Sequence, residues 1–215
     1  MARIIVFGAG GRGGRAVAAE ARRRGHEVTA VVRDPAAHPG LDAVAGDVTD
    51  PASVAALAAG HDAAVNSTYS PGADPAEFFA AASNALAEGL PSGVRLVSVG
   101  LASVLPDASG TPLMDTPGYP QEYRGFFLGH AAGNDALRAA PAGLDWVVLS
   151  PSGDFDHSAS DHSASDHEGS RTGSYRVAPA DPESRISYAD FAIAVLDEIE
   201  RPRHHRVHIG VEEAR

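Results

Sequence analysis

The chain contains no cysteine and no lysine, only 6% aromatic residues, and no apolar run of membrane-spanning length. Without cysteine there are no disulfides and no thiolate chemistry. Without lysine there is no Schiff-base nucleophile, no lysine general base and no lysine phosphate ligand; all 17 basic residues are arginines. With no run approaching about 20 apolar residues, no transmembrane helix is expected. Cations are also outnumbered, and a formal net charge of −11 argues against nucleic-acid partners. The N-terminus reads directly as a strand, without a signal-type apolar region, so a cytoplasmic location is expected. A length of 215 residues suits a single domain spanning residues 1–215 with a full core.

What the chain has is a glycine cluster, Gly8-Ala9-Gly10-Gly11-Arg12-Gly13-Gly14. It follows the apolar run Ile4-Ile5-Val6-Phe7 and precedes a stretch that reads as a helix from Arg15 to Arg24. In a strand–turn–helix context, one glycine permits a sharp turn. A second lets backbone approach a pyrophosphate, and a third lets helix and strand pack closely. The helix N-terminus then supplies free N–H groups and a positive dipole end for the phosphates. Two registers fit: Gly8, Gly10 and Gly13 as G-x-G-x-x-G, or Gly8, Gly11 and Gly14 as G-x-x-G-x-x-G. The alternative is a glycine-rich turn with no ligand.

Strand-like runs recur at 27–33, 41–45, 62–66, 94–99, 144–149 and 206–211. Helical stretches separate them at 51–59, 75–88, 122–139 and 187–200. This alternation predicts an α/β fold, a doubly wound parallel sheet of Rossmann type. Ligands of such sheets bind beyond the carboxyl ends of the strands. Residues 152–186 read as a loop region on the substrate side. Within it, Asp156-His157-Ser158-Ala159-Ser160 recurs as Asp161-His162-Ser163-Ala164-Ser165 and restarts at Asp166-His167. Histidines five residues apart share neither a helix face nor a strand face, so 156–167 is read as a polar insertion and no metal site is expected.

Arg33 ends the second strand-like run, about 20 residues past the glycines, where an acidic residue suits NAD and an arginine suits the 2′-phosphate of NADP. Arg12 could join it. The alternative makes both arginines surface residues, with Asp34 on the ribose and NAD as cofactor. Asp47 and Val48 stand where the adenine is flanked in this architecture, or Asp47 merely caps a turn. Asn66 and Ser67 lie along the phosphate and ribose path. Ser98 is placed near the nicotinamide ribose, and Pro151 and Ser152 in the nicotinamide pocket. Ser103, Tyr123 and His130 are candidate helpers of catalysis, of which Ser103 and Tyr123 are retained, although a structural role is open for each. His204, His205 and His208 read as surface residues.

The glycine cluster, Arg33, Gly46-Asp47-Val48 and Ser187-Tyr188-Ala189-Asp190-Phe191-Ala192 together resemble atypical short-chain dehydrogenases/reductases. Asp115-Thr116-Pro117-Gly118-Tyr119-Pro120-Gln121-Glu122-Tyr123, Leu144-Asp145-Trp146 through Pro151, and Arg171 to Arg176 narrow the likeness. They resemble the NADH-flavin reductase-like group, related to biliverdin-IXβ/flavin reductase and to NmrA-like proteins. The likeness covers nearly the whole chain, interrupted by the Asp-His repeat. It implies an NAD(P)-binding fold and hydride transfer to a flavin or another flat small-molecule acceptor. It equally includes catalytically silent NAD(P) sensors.

Standard short-chain dehydrogenases use Tyr-x-x-x-Lys. Here Tyr123 follows Tyr119, and Phe127 follows Tyr123. Flavin reduction needs no such pair. The expectation is therefore an NADP-dependent flavin reductase-like enzyme, with a sensor or an epimerase on the same scaffold as rivals. The sequence leaves the acceptor and the oligomeric state open.

Overall fold

The computed structural model describes residues 1–156 and 170–214. The repeat from His157 to His167 lies outside the described residues. The elements are β1 (Arg3–Phe7), α1 (Arg12–Arg23), β2 (Glu27–Val32), β3 (Val44–Ala45), α2 (Pro51–Ala58), β4 (Ala63–Asn66) and α3 (Pro75–Gly89). Then come β5 (Arg95–Val99), α4 (Arg124–Ala139), β6 (Trp146–Pro151), β7 (Asp154–Phe155), β8 (Tyr175–Ala178), β9 (Arg185–Ile186), α5 (Tyr188–Glu200) and β10 (Val207–Glu213).

The last four residues of β1 and all of β4 and β6 are buried. Such continuous apolar strands need cover on both faces, which a parallel sheet with flanking helices provides. The helix starts follow the sequence chemistry. Asp50, Asp74 and Ser187 accept hydrogen bonds from Ala52 N, Glu77 N and Asp190 N. Each such cap is worth about 1 kcal/mol.

The main sheet has the order β3-β2-β1-β4-β5-β6-β10-β8, parallel throughout except that β8 runs antiparallel to β10. From β1 the chain winds outward through β2 and β3, then returns to place β4 on the other side of β1. That reversal opens a crevice beyond the carboxyl ends of β1 and β4. One face of the sheet is covered by α1 and α5 around Val17, Phe191, Val195 and Leu196. The other face packs Val54, Leu86, Leu137 and Trp146. At the opposite end from the crevice, buried Arg95 donates to Asp145, to the Glu198 carboxylate and to the carbonyls of Glu198 and His204.

The structure corrects three expectations. First, α1 begins at Arg12, three residues before the predicted start, because Gly11 serves as its extended N-cap (φ −80°, ψ 167°). Arg12, Gly13 and Gly14 therefore form the first helical turn despite the low helix propensity of glycine. Second, the described parts of 152–186 are not simply a loop. They hold β7 and β9, which pair with each other, and β8, which extends the main sheet. Two-residue strands leave no periodicity to read, and Arg176 and Val177 of β8 are exposed. Third, His208 is no surface residue. Its Nε2 lies 2.7 Å from Ser150 Oγ, and burial pushes its pKa down to about 4, with the Arg138 charge adding to the effect. By contrast His205 is exposed, and His204 pairs with Glu198 at 2.7 Å.

Candidate functional site

The glycines of the first turn differ in what surrounds them. Gly8 has φ +83°, and a Cβ there would stand 2.2 Å from Ser67 O, where the chains leaving β1 and β4 meet. A Cβ on Gly14 would stand 2.3 Å from Gly8 O, so α1 can approach β1 only because that side chain is absent. Gly11 is different: its nearest neighbour would be Gly8 O at 3.6 Å, an ordinary contact. Its side-chain direction is open space on the crevice. The structure thus separates the two registers. Gly8 turns, Gly11 leaves room, and Gly14 packs, which is the G-x-x-G-x-x-G spacing. Gly10 is confined by the His38 imidazole, and Gly13 lies 3.0 Å, by its Cβ position, from Ser67 Oγ.

Around Gly8, Gly10 and Gly11 opens a cleft of about 670 Å³. Its walls include Arg33 and Asp34 beyond β2, Asp47 and Val48 beyond β3, and Ser67 to Ser70 beyond β4. Arg33 donates from Nη1 to Ser70 Oγ at 2.9 Å. Asp34 is occupied locally, accepting from Ala36 N at 2.9 Å to cap a 3-10 turn at Pro35–Ala37. Asp47 accepts from both N and Oγ1 of Thr49. Those hydrogen bonds, with help from the Arg33 charge, hold its carboxyl below the usual range. Asn66 is buried, accepts from Thr68 and donates to Ser98 Oγ at 3.3 Å. The cleft therefore gathers Gly8, Gly10, Gly11, Arg33, Asp47, Val48 and Ser67, with Asn66 and Ser98 directly behind its β4 wall.

Arg12 and Gly13 lie outside this wall, in the first turn of α1. The Arg12 guanidinium stands 5.3 Å from the centroid of the Tyr188 ring, and Tyr188 stacks on Phe155 at 4.1 Å and 12°. Burial, with the Asp154 charge, raises the Tyr188 pKa against the opposing pull of Arg12. Sequence reasoning missed this aromatic step, because Phe155 and Tyr188 are 33 positions apart in sequence. Glu20 on α1 would be raised by burial. Hydrogen bonds from Arg23, Arg24 and Arg171 outweigh that and hold it at about 2.

Toward β5, β6 and β10, the polar groups bond to one another. Ser103 Oγ lies 2.9 Å from Tyr119 Oη. Tyr123, at the N-cap of α4, is 64% exposed and is not brought to Ser103. The hydroxyl beside Ser103 is that of Tyr119, whose ring packs edge-on against Phe127 at 5.7 Å. No local signal in the segment separates Tyr119 from Tyr123. The His130 ring lies 3.9 Å from that of Phe79, tilted by 34°, and burial, with the His208 charge, pushes its pKa down to about 3. It is a neutral packing residue at ordinary pH. Pro151 and Ser152 are buried at the end of β6, and Ser152 Oγ donates to Ala178 O at 3.2 Å. No cluster of potential metal ligands occurs among the described residues, and none of their helices is long and apolar enough to cross a membrane.

A switch-point crevice, an open Gly11 and an arginine at the end of β2 are the geometry of a dinucleotide site. A model of NAD(P)H-binding proteins matches residues 8–199. The chain belongs to this NAD(P)H-binding family. The protein YwnB of Bacillus subtilis (strain 168), itself uncharacterized, is 35% identical over 214 residues, covering 94% of each chain. A structure from Streptococcus pneumoniae, described as a candidate NADH-flavin reductase, is 29% identical with a TM-score of 0.81, covering all of both chains. Another, from Burkholderia pseudomallei and described as a candidate exported protein, is 37% identical with a TM-score of 0.81, covering 99% of this chain and 100% of its own. The resemblance to NmrA-like and flavin reductase-like proteins stands at the level of the NAD(P)H-binding family.

Proposed function

We propose that the protein is an NADP-dependent oxidoreductase acting on a flavin or a similarly flat small-molecule acceptor. The observation that carries the cofactor choice is Arg33: a guanidinium at the end of β2, oriented by Ser70 Oγ in the wall of the cleft. An arginine at that place complements a 2′-phosphate. Asp34, the residue that would otherwise take a ribose hydroxyl, spends its carboxylate on the following turn.

The residues fit the cofactor as follows. The backbone N–H groups of Arg12 and Gly13, in the first turn of α1, are offered to the pyrophosphate, whose charge the helix dipole favours, while the Gly11 N–H is held by Gly8 O at 3.1 Å. Asp47 and Val48 flank the adenine. Asn66, Ser67, Ser98 and Pro151 line the path toward the nicotinamide. The bound cofactor supplies a hydride. The chain's part is then to hold two flat rings in contact and to exclude water, since positioning can supply much of the rate of such a transfer. The hydroxyl pair Ser103–Tyr119 borders the acceptor side and can donate a hydrogen bond to a reduced acceptor, with the proton itself drawn from water. With no lysine in the chain, a Tyr-x-x-x-Lys reduction of carbonyls lacks the cation that lowers the tyrosine pKa and holds the ribose, and an epimerase reading loses the same group.

A sensor that binds NADP without turnover is the second reading. It is favoured by the mutual satisfaction of the polar groups beyond β5 and β6. NADPH oxidation followed at 340 nm with FMN, FAD or riboflavin decides between the two. The reductase reading predicts flavin-dependent oxidation. NADPH binding without acceleration by any flavin gives the sensor reading its place.

A further inference from the structure

His38 lies against the glycine turn. A Cβ on Gly10 would stand 2.4 Å from Cε1 and 2.5 Å from Nε2 of its imidazole, so the ring fills the space that a side chain at position 10 would take. The ring is half-buried and forms part of the same cleft wall as Arg33 and Ser70. The charges around it come from three elements: Arg33 and Asp34 from the end of β2, Asp47 from the loop after β3, and Arg15 from α1, whose Nε donates to Gly10 O at 2.9 Å, while the segment after β4 contributes neutral Ser70. Two carboxylates against one guanidinium leave the described wall with negative charge in excess. A phosphate dianion placed there carries two charges, and in the wall itself only Arg33 and a protonated His38 can meet them. Histidine is the one side chain in this wall whose charge changes between about pH 5 and 8.

We propose that His38 is a second ligand of the cofactor's 2′-phosphate, binding it as the imidazolium and thereby making the NADP preference depend on pH. This rests on the NADP reading of the cleft. Arg33 supplies a fixed charge and His38 a proton-dependent one. NADPH affinity then rises as pH falls and the imidazole takes up its proton. NADH, which lacks the 2′-phosphate, gains little.

The test is a calorimetric titration of NADPH and NADH at pH 8.0 and pH 6.0, on the parent and on His38→Gln, with melting temperatures as a folding control. In the parent, the NADPH-over-NADH affinity ratio should be about 5- to 10-fold larger at pH 6.0 than at pH 8.0, on the scale of one added charge-assisted contact. In His38→Gln that gain should vanish or reverse, because the 2′-phosphate's own protonation near pH 6 then acts alone. Equal pH dependence in parent and His38→Gln, with NADPH still preferred, overturns the proposal alone. Equal affinity for NADPH and NADH at both pH values overturns the NADP reading, and the proposal with it.

Discussion

The carboxyl edge of the sheet has two unlike halves. Beyond β1, β2 and β4 it is an open cleft walled by backbone, with Arg33 and His38 reaching into it. Beyond β5, β6 and β10 the hydroxyls and imidazoles are turned on one another: Ser103 with Tyr119, Ser150 with His208, Ser152 with Ala178 O. In the first half Arg33, Asp34 and Asp47 each hold a local partner, yet line open space with bonding capacity left for a ligand. The second has already used most of its own. On the proposed reading, dinucleotide recognition falls to the first half and the acceptor to the second, and substitutions in the two halves should fail differently.

The largest effect is expected where the open half depends on absent side chains for its shape. Gly14→Val would drive a Cβ to 2.3 Å from Gly8 O. The obstacle is backbone, so the loss should reach or exceed the upper end of the usual overpacking range, about 3 kcal/mol. Urea denaturation reads it. A midpoint close to the parent's would show that α1 can shift on β1 without cost.

In the closed half, Ser150→Ala leaves His208 Nε2 without its 2.7 Å partner in a buried place. About 1–3 kcal/mol should be lost, while NADPH affinity stays within about 3-fold of the parent. A large affinity loss with unchanged stability would mean that this pair belongs to the cofactor site after all.

The same half should make the protein sensitive to acid. Unfolded, His130 and His208 take up protons near the ordinary 6.5; folded, they do so only at about 3 and about 4. Below pH 6.5 the unfolded chain therefore binds protons that the folded chain refuses. Stability falls as pH falls from 6.5 toward 4, by at most about 1.4 kcal/mol per pH unit for each histidine. Glu20, lowered from 4.5 to about 2, adds a further loss below pH 4.5 for the opposite reason: its stabilising charge is titrated away. His130→Phe should flatten the upper part of this profile. An unchanged slope between pH 6.5 and 5 would show that these rings are not held neutral.

The smallest effects concern the acceptor. Tyr119→Phe removes the partner of Ser103 Oγ and should slow flavin-dependent NADPH oxidation by less than about 10-fold, well below the 10²–10⁴-fold typical of losing a general acid. Tyr123→Phe, on an exposed ring, should leave the rate unchanged. Loss of turnover in either variant would restore a proton-transfer mechanism.

The same division governs how much could be read from sequence. The parallel sheet and the glycine turn were legible because local patterns specify them: Ile4 to Phe7 as an apolar run, Asp50-Pro51 and Asp74-Pro75 as helix starts, and glycines between strand and helix. Arg33 was legible by its offset from that turn. His38 was not, since its place against Gly10 depends on how the loop after β2 folds back. Nor were Ser150–His208 and Phe155–Tyr188, which join residues 58 and 33 positions apart. Pairings of that kind are set by strand order, and no local period records them. Tyr119 and Tyr123 show the limit most plainly. Both stand in one resembling segment, yet only the fold shows that the former meets Ser103 and the latter solvent.

On the proposed reading, the cleft at the glycine turn binds the dinucleotide across an open Gly11. Calorimetric titration of NADPH into the parent and into Gly11→Val tests it most directly. Gly11 has extended backbone angles that valine adopts readily, and its Cβ would meet only Gly8 O at 3.6 Å, so the variant should melt within a few degrees of the parent. The account predicts a folded variant whose NADPH affinity has dropped by about 100-fold or more, because the added side chain stands where the pyrophosphate must approach the backbone. A folded Gly11→Val protein that binds NADPH as tightly as the parent would contradict it.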